Sequence, residues 1–509
     1  MFTQINSGGI RAVQGYIVSV EADVSNGLPS FSISGQLATE VKEAQERVRT
    51  ALRNSGFRLP AKRVTVNLSP AGIRKGGTAY DLPIAVAVLG AFGQADTRIL
   101  EDSFVIGELG LDGRVKPVNG VLPLVDTARE YGLRRCFLPS DNAGEGMVIE
   151  GMEIIGVDSL AQMADMLRNP STIHPGESAQ EEAWKELPWQ VDFKEINGQR
   201  VLKRAAEIAA AGMHGLLFSG SAGTGKTMVA RRIPTILPDL TREEDIEISK
   251  IYSICGMLPA GHPLLSSRPF RSPHHTITPL ALTGGGGLVR PGELSLASGG
   301  VLFLDELPHF EKGAIDILRQ PLEERKVTVT RVHGSYDFPA DFMIVAAMNP
   351  CPCGFYPDRS RCNCSETQIQ RYLGRISRPV LERFDICAEA APVTFEELNL
   401  DVSANEDSAA IRRRVEAARQ IQLKRFMGTD IRFNSRMRAR DITQFCRLKP
   451  EDRSFLKAVY ESKGLSARRY HKALKVARTI ADLAGSASVK REHLSEALGY
   501  GMLEDRIWG

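Results

Sequence analysis

The sequence predicts an α/β fold in three parts: an N-terminal α+β domain, a parallel-sheet core and a C-terminal helical lid. Three observations predict it. A glycine-rich loop, "GSAGTGKT" (220–227), follows the apolar run "GLLFS". Between 200 and 395, the β-type runs "HGLLFSG", "GGVLFLDE" and "DFMIVAAMN" alternate with helical stretches, the pattern of strands joined by crossover helices. After about 396 the chain turns helical and Arg-rich, from "AAIRRRVEAARQIQLKRF" to "HKALKVARTIADLAG".

Residues 1–167 mix alternating runs ("YIVSVEADV", "RVTVNLS") with helical ones ("EVKEAQERVRTALRNSGF", "LPLVDTAREYGL") and close on "LAQMADMLR". Two periodicities in one segment make an α/β or α+β domain. Residues 168–190 carry Pro, Gly, Ser and acids without periodicity and are expected to be a linker. Residues 191–395 then form the core and 396–509 the lid, with no internal repeat of 20–50 residues.

Composition narrows the function classes. The chain has 509 residues, 43% hydrophobic and 25% charged, ordinary for a globular protein of roughly three domains at about 150 residues each. A net charge of +3 is too mild to demand a nucleic-acid partner. The longest apolar stretch, "LPIAVAVLGAF" (82–92), falls short of the ~20 residues that span a bilayer, and no membrane partner is expected. The N-terminus lacks a basic segment followed by an apolar one, so no signal peptide is read and a cytoplasmic location is expected. There, clustered cysteines mean metal or redox chemistry rather than disulfides.

The loop 220–227 matches G-x-x-x-x-G-K-[ST], so ATP is the expected ligand. Gly220, Ser221, Ala222, Gly223, Thr224 and Gly225 would bring backbone N–H groups to the phosphates. Lys226 would offer a cation to the β/γ oxygens, and Thr227 a hydroxyl to Mg²⁺. "GGVLFLDE" (299–306) ends an apolar strand on two acids: Asp305 to hold Mg²⁺, Glu306 to polarise the attacking water. Asn349 ends the next apolar run. Asparagine before proline is usually a turn former, but strand order and spacing favour a water-positioning role. Arg375, Arg378, Arg383, Arg468 and Arg469 are candidates for an arginine supplied to a neighbouring subunit, and by spacing alone any of them could be a solvated charge.

Together these motifs resemble the AAA+ superfamily, and more closely its magnesium-chelatase-like branch, which is similar to the MCM helicases. The long insertion "FRSPHHTITPLALTGGGGLVRPGELSLASGG" (270–300) and "LERFD" (381–385) carry that likeness. The resemblance selects Arg383 as the trans-acting finger, and the "LSARRYHKALKVA" segment implies that Arg468 is sensor 2. Over residues 1–505, the linker excepted, the chain resembles the ComM/YifB family. That implies a ring-forming, hexameric ATPase working as a DNA motor on single-stranded or branched DNA, with helicase or branch-migration activity during natural transformation. A chelatase subunit and a protein-remodelling ATPase are the alternatives.

Two further segments take meaning from resemblance. "PAGIRKGGTAYDLPIA" (70–85) and "GELGLDGRVKPVNGVLPLV" (107–125) resemble the Lon protease domain, but its serine and lysine sites fall on Ala79 and Leu122. Thr78 and Lys75 lie nearby without making the dyad, so no peptidase activity is expected. "EERKVTVTRVHGSYDFPADF" (323–342) reads as a β-hairpin. In MCM-like rings the hairpin at this point touches DNA, which makes Arg331 and His333 candidate contacts. "SPHHT" is not expected to bind metal, and the glycine run 284–287 is expected to be a flexible tip.

Cys351, Cys353, Cys362 and Cys364 form C-x-C-x8-C-x-C directly after Asn349. Four thiolates suit a tetrahedral, structural Zn²⁺. Reduced free cysteines or a redox switch remain open at this point.

Overall fold

The computed structural model describes residues 1–176, 191–259, 261–287, 289–331, 334–399, 401 and 405–508. Most of the expected linker, 177–190, lies outside the described residues, as does His333.

The first sheet holds β1 (Phe2–Arg11), β2 (Gln14–Ser25), β3 (Ser30–Ser34), β4 (Arg63–Ser69), β5 (Ser103–Val105), β6 (Arg135–Pro139) and β7 (Glu153–Val157). Its order is β3-β4-β2-β1-β5-β6-β7, antiparallel across β4-β2-β1 and parallel elsewhere. Helix α1 (Thr39–Asn54) buries Val41, Ala44, Val48, Ala51 and Leu52, an apolar stripe at helical spacing. Helix α2 (Asp81–Ala91) is buried at every position, which explains the apolar stretch seen in the sequence: it is a central core helix. Its one charge, Asp81, accepts two hydrogen bonds from Arg47, at 2.8 and 3.0 Å. A buried carboxylate needs such a bidentate partner.

The second sheet is all parallel: β8 (Leu216–Ser219), β9 (Phe270–Arg271), β10 (Val301–Leu304), β11 (Met343–Met348) and β12 (Ile386–Glu389), in the order β9-β10-β11-β8-β12. Every residue of β8, β10 and β11 is buried, as expected of strands covered on both faces. This is the AAA+ arrangement, with the first strand of the core between the fourth and the fifth. Helix α4 (Arg200–Gly212) covers one face, and α5 (Lys226–Arg232) starts directly from the loop after β8.

The C-terminal region is helical, built around α7 (Ser408–Arg425), α8 (Ala467–Leu483) and α9 (Arg491–Trp508). A buried polar network joins it to the core. His214 Nδ1 lies 2.8 Å from Asp385 Oδ2, and its Nε2 lies 2.8 Å from Thr479 Oγ1. Asn434 donates to Thr479 at 3.0 Å and to Asp482 at 2.8 Å. Burial alone would raise the Asp385 carboxyl, but the hydrogen bond to His214 and the charges of Lys475 and Lys472 hold it below its ordinary value.

The first domain packs on the core through α3 (Val121–Glu130) and α6 (Arg242–Cys255). Lys250 pairs with Asp126 at 2.7 Å, and the Gly120 N–H donates to the Ser253 carbonyl at 3.0 Å. No described helix is long and apolar enough to cross a membrane.

Candidate nucleotide site and cysteine knuckle

The loop 220–227 leaves β8 at the C-terminal edge of the parallel sheet, and the first turn of α5 begins at Lys226. Two of its glycines are required by the backbone: Gly223 (φ +78°) and Gly225 (φ +85°) sit in the left-handed region. Lys226 is buried and donates from Nζ to the Gly220 and Ser221 carbonyls, both at 2.7 Å, and to Asn349 Oδ1 at 3.3 Å. Burial pushes its pKa below the usual lysine value, against the pull of Asp305. The loop is braced from outside by Gln199, whose amide donates to the Thr224 carbonyl at 2.9 Å and the Ala391 carbonyl at 2.6 Å.

Asp305 and Glu306 follow β10, the neighbour of β11, which ends at Met348 beside Asn349. The Thr227 hydroxyl donates to Asp305 Oδ2 at 2.8 Å. A hydroxyl and a carboxylate oxygen in contact are a pair that Mg²⁺ accepts alongside phosphate oxygens and water, so the residues fit that ion. Glu306 has φ +53°, uncommon for a residue with a side chain. Its Oε2 lies 3.9 Å from His275 Nδ1 and 3.8 Å from His309 Nδ1. The structure therefore brings Lys226, Thr227, Asp305, Glu306 and Asn349 together at one edge of the sheet.

Arg383 and Arg468 are elsewhere. Both line a cavity of about 310 Å³ with Gly215 and Ile344, which lie at the opposite ends of β8 and β11 from Gly220 and Asn349. Arg383 pairs with Glu323, and Arg468 with Glu382. The Arg383 Nε is buried without a hydrogen-bond partner, and burial lowers the pKa of its guanidinium. Arg436, Arg438, Lys472 and Lys475 line the same cavity. Arg469 lines a different one with Cys387 and Leu465.

The four knuckle cysteines converge. Sγ of Cys351 lies 3.4 Å from Cys353 and 3.8 Å from Cys362, and the four sulfurs lie within 4.8 Å of one another. Zn–S bonds of ~2.3 Å at tetrahedral angles put sulfurs about 3.8 Å apart, so the set fits zinc. It is the one such metal-ligand cluster among the described residues. The hydrogen bond from the Phe355 N–H draws the Cys353 thiol down to about 6. The knuckle abuts the phosphate loop: a Cβ built on Gly354 would stand 3.7 Å from Ala222 N and 3.8 Å from Asn349 Cγ.

In the first domain, Ala79 is partly buried and Leu122 is wholly buried in the core. Thr78 donates its hydroxyl to Glu108, and Lys75 turns its ammonium to the Pro70 carbonyl. No serine–lysine pair stands at these positions. The hairpin expected at 323–342 is present, pairing Lys326–Arg331 with Gly334–Pro339. The expectation of a flexible tip at 284–287 fails in part. Gly284 and Gly285 form a ladder with Pro291 and Arg290, and a Cβ on Gly284 would stand 2.3 Å from the Arg290 carbonyl oxygen. Sequence reading missed Gln199, His275, His309 and Arg436. Of these His275 carried a signal in its neighbour His274, and Arg436 in the basic run "FNSRMRARD" (433–441), which on composition reads as a solvated face or a phosphate contact.

Family models match three stretches: "Magnesium chelatase, subunit ChlI" over 192–398, "Subunit ChlI of Mg-chelatase" over 20–142, and "Magnesium chelatase, subunit ChlI C-terminal" over 405–501. The competence protein ComM of Haemophilus influenzae is 40% identical over 97% of this chain and 96% of its own. YifB of Escherichia coli is 40% identical over 95% of this chain and 94% of its own. Lon protease 2 of Bacillus subtilis is 30% identical over 160 residues, 31% of this chain and 28% of its own.

Proposed function

The chain belongs to the ComM/YifB family of magnesium-chelatase-like AAA+ ATPases, and on that premise we propose that it is a ring-forming ATPase that moves DNA. One observation carries the ring. Lys226, Thr227, Asp305, Glu306 and Asn349 stand at one end of the parallel strands, and Arg383 and Arg468 stand at the other. Arginines so placed serve a neighbour's nucleotide when copies pack head to tail, and head-to-tail contacts form a ring where the rotation between copies closes. Six subunits are expected from the family.

The chemistry follows from the residues. The loop 220–225 receives the phosphates of ATP on its backbone N–H groups, and Lys226 exchanges its carbonyl partners for β/γ oxygens. Thr227 and Asp305 would hold Mg²⁺, which neutralises charge on those oxygens when bound. Glu306 orients the attacking water and draws its proton, and Asn349 fixes the water between the γ-phosphate and Glu306. Arg383 and Arg468 from the adjacent copy stabilise the charge of the transition state, a contribution of roughly 10³–10⁵ in rate. Cys351, Cys353, Cys362 and Cys364 would hold a structural Zn²⁺ that shapes the loop behind Asn349.

The relative named a competence protein supports DNA as the partner, and the family resemblance supports branch migration or helicase action during natural transformation. Arg331, on the hairpin, is the proposed contact, and His333, two residues further along the sequence, is the second candidate. A chelatase-type role is the second reading, favoured by the ChlI family models. ATP turnover with and without single-stranded or forked DNA separates them. DNA should stimulate turnover and Lys226→Ala should abolish it. No stimulation, together with no DNA binding at low salt, sinks the DNA reading.

A further inference from the structure

A cleft of about 560 Å³ lies where the first domain meets the core. Its walls come from three places: Arg74 and Thr78 of the first domain, Arg290 of the 284–291 ladder, and Arg331 and Tyr336 of the hairpin. Arg11, at the end of β1, reaches the same hairpin, with its guanidinium 5.8 Å from the Tyr336 ring centroid. Among the described residues none of these four arginines forms an ion pair with a carboxylate. Neighbouring arginines do: Arg47 pairs with Asp81, Arg271 with Glu293 and Arg242 with Glu150. All four side chains are exposed. Among the described residues Glu40 is the one acid that lines the cleft.

Like charges drawn from three segments to one cleft repel unless an anion lies among them. A single phosphate is matched by one or two guanidinium groups; four, spread over two domains, match a chain of phosphates. Gly77 and Gly287 line the cleft with open space where a Cβ would be, so a backbone can come close. The Tyr336 ring, half-buried with the Arg11 guanidinium over it, puts an aromatic group in the wall against which an unstacked base would lie.

We propose that this cleft grips single-stranded nucleic acid, and that the peptidase-like domain contributes one wall of it through Arg74, with Arg11 adding charge beside Tyr336. The inference rests on the DNA-motor reading and adds the front domain to the grip. In place of a nucleophile and its base, the cleft presents cations, an aromatic ring and glycine backbone.

The test is anisotropy titration of a labelled oligo(dT) with the full-length chain over a series of salt concentrations. The proteins are the wild type, Arg11→Gln/Arg74→Gln, Arg74→Gln/Arg290→Gln and Tyr336→Ala. Thermal unfolding midpoints, expected to match the wild type for the arginine variants, check that they fold. Each lost phosphate contact should flatten the slope of log K against log salt by about 0.7, so each double variant loses roughly 1.4. Tyr336→Ala should weaken binding about fivefold or more with the slope kept, and Tyr336→Phe should restore it. If the wild type binds no oligo(dT) at low salt, the DNA-motor reading falls and takes this inference with it. If the wild type binds and the double variants keep its affinity and slope, the cleft assignment alone is overturned. Polyglutamate that binds as tightly as oligo(dT), and is lost in the same variants, would assign the cleft to acidic polypeptide and overturn it too.

Discussion

Lys226 Nζ lies 3.3 Å from Asn349 Oδ1, which ties the phosphate loop to the residue just past β11. The two residues follow adjacent parallel strands, β8 and β11, and are 123 residues apart in sequence. On the proposed reading Asn349 touches the cation that meets phosphate and holds the attacking water. Asn349→Ala should lower kcat by about 100-fold, the scale of removing one aligned polar group, with a much smaller change in KM. Steady-state ATP turnover measures the split, and a rise in KM at constant kcat would make Asn349 a binding residue instead.

The knuckle lies next to the loop, so a metal held there is expected to affect ATP binding. A Cβ on Gly354 would stand 3.7 Å from Ala222 N, so the knuckle lies beside the phosphate loop. Elemental analysis of metal-replete protein should find about one zinc per chain. Cys351→Ser should lose the metal and raise KM for ATP while DNA binding persists. Much less than one zinc per chain contradicts the site, and loss of DNA binding with unchanged KM contradicts its link to the loop.

Two inactive variants should restore each other. Lys226→Ala spoils the phosphate loop and leaves the arginines, and Arg383→Ala does the reverse. If Arg383 serves its neighbour, about a quarter of the interfaces in an equimolar random mixture pair an intact loop with an intact arginine. Mixed proteins should therefore hydrolyse ATP measurably faster than either alone. No gain after subunits have exchanged would show that Arg383 acts within its own chain, or not at all.

Acid should loosen the lid through Asp385. Its carboxyl is held below the ordinary value near 3.8, so its stabilising contribution is full above that value and is lost as pH falls through the lower, folded one. The Asp385→Asn variant should be less stable by about 2 kcal/mol near neutrality, because the charged hydrogen bond to His214 is gone. Its unfolding midpoint should also depend less on pH in the acid range. Thermal unfolding between about pH 3 and pH 7 checks both, and parallel curves for the two proteins would place the acid sensitivity elsewhere.

How much of this was legible depends on contiguity. The loop 220–227 and the pair Asp305–Glu306 are read directly, because each packs its chemistry into a few consecutive residues beside a recognisable strand. The four cysteines are read for the same reason. Arg383 and Arg468 needed resemblance, since five arginines share their spacing and only the fold shows which two meet in one cavity. Gln199 and His309 were invisible because nothing local marks them, and the histidine pair 274–275 and the basic run 433–441 show that His275 and Arg436 are present but not what they touch. The cleft beneath the hairpin was hidden likewise, being made by packing one domain on another. The glycine run at 284–287 misled for the opposite reason. Composition read as freedom, while the ladder requires Gly284 because a side chain there would strike the Arg290 carbonyl.

The central claim is that ATP hydrolysis by this chain moves DNA strands, and the most direct measurement is a strand-exchange assay on a labelled three-strand junction. With ATP and Mg²⁺ the wild type should drive the branch point through the homologous arm and release the displaced strand, and Lys226→Ala should leave the junction intact. ATP turnover that DNA stimulates while the junction stays unmoved would contradict the account.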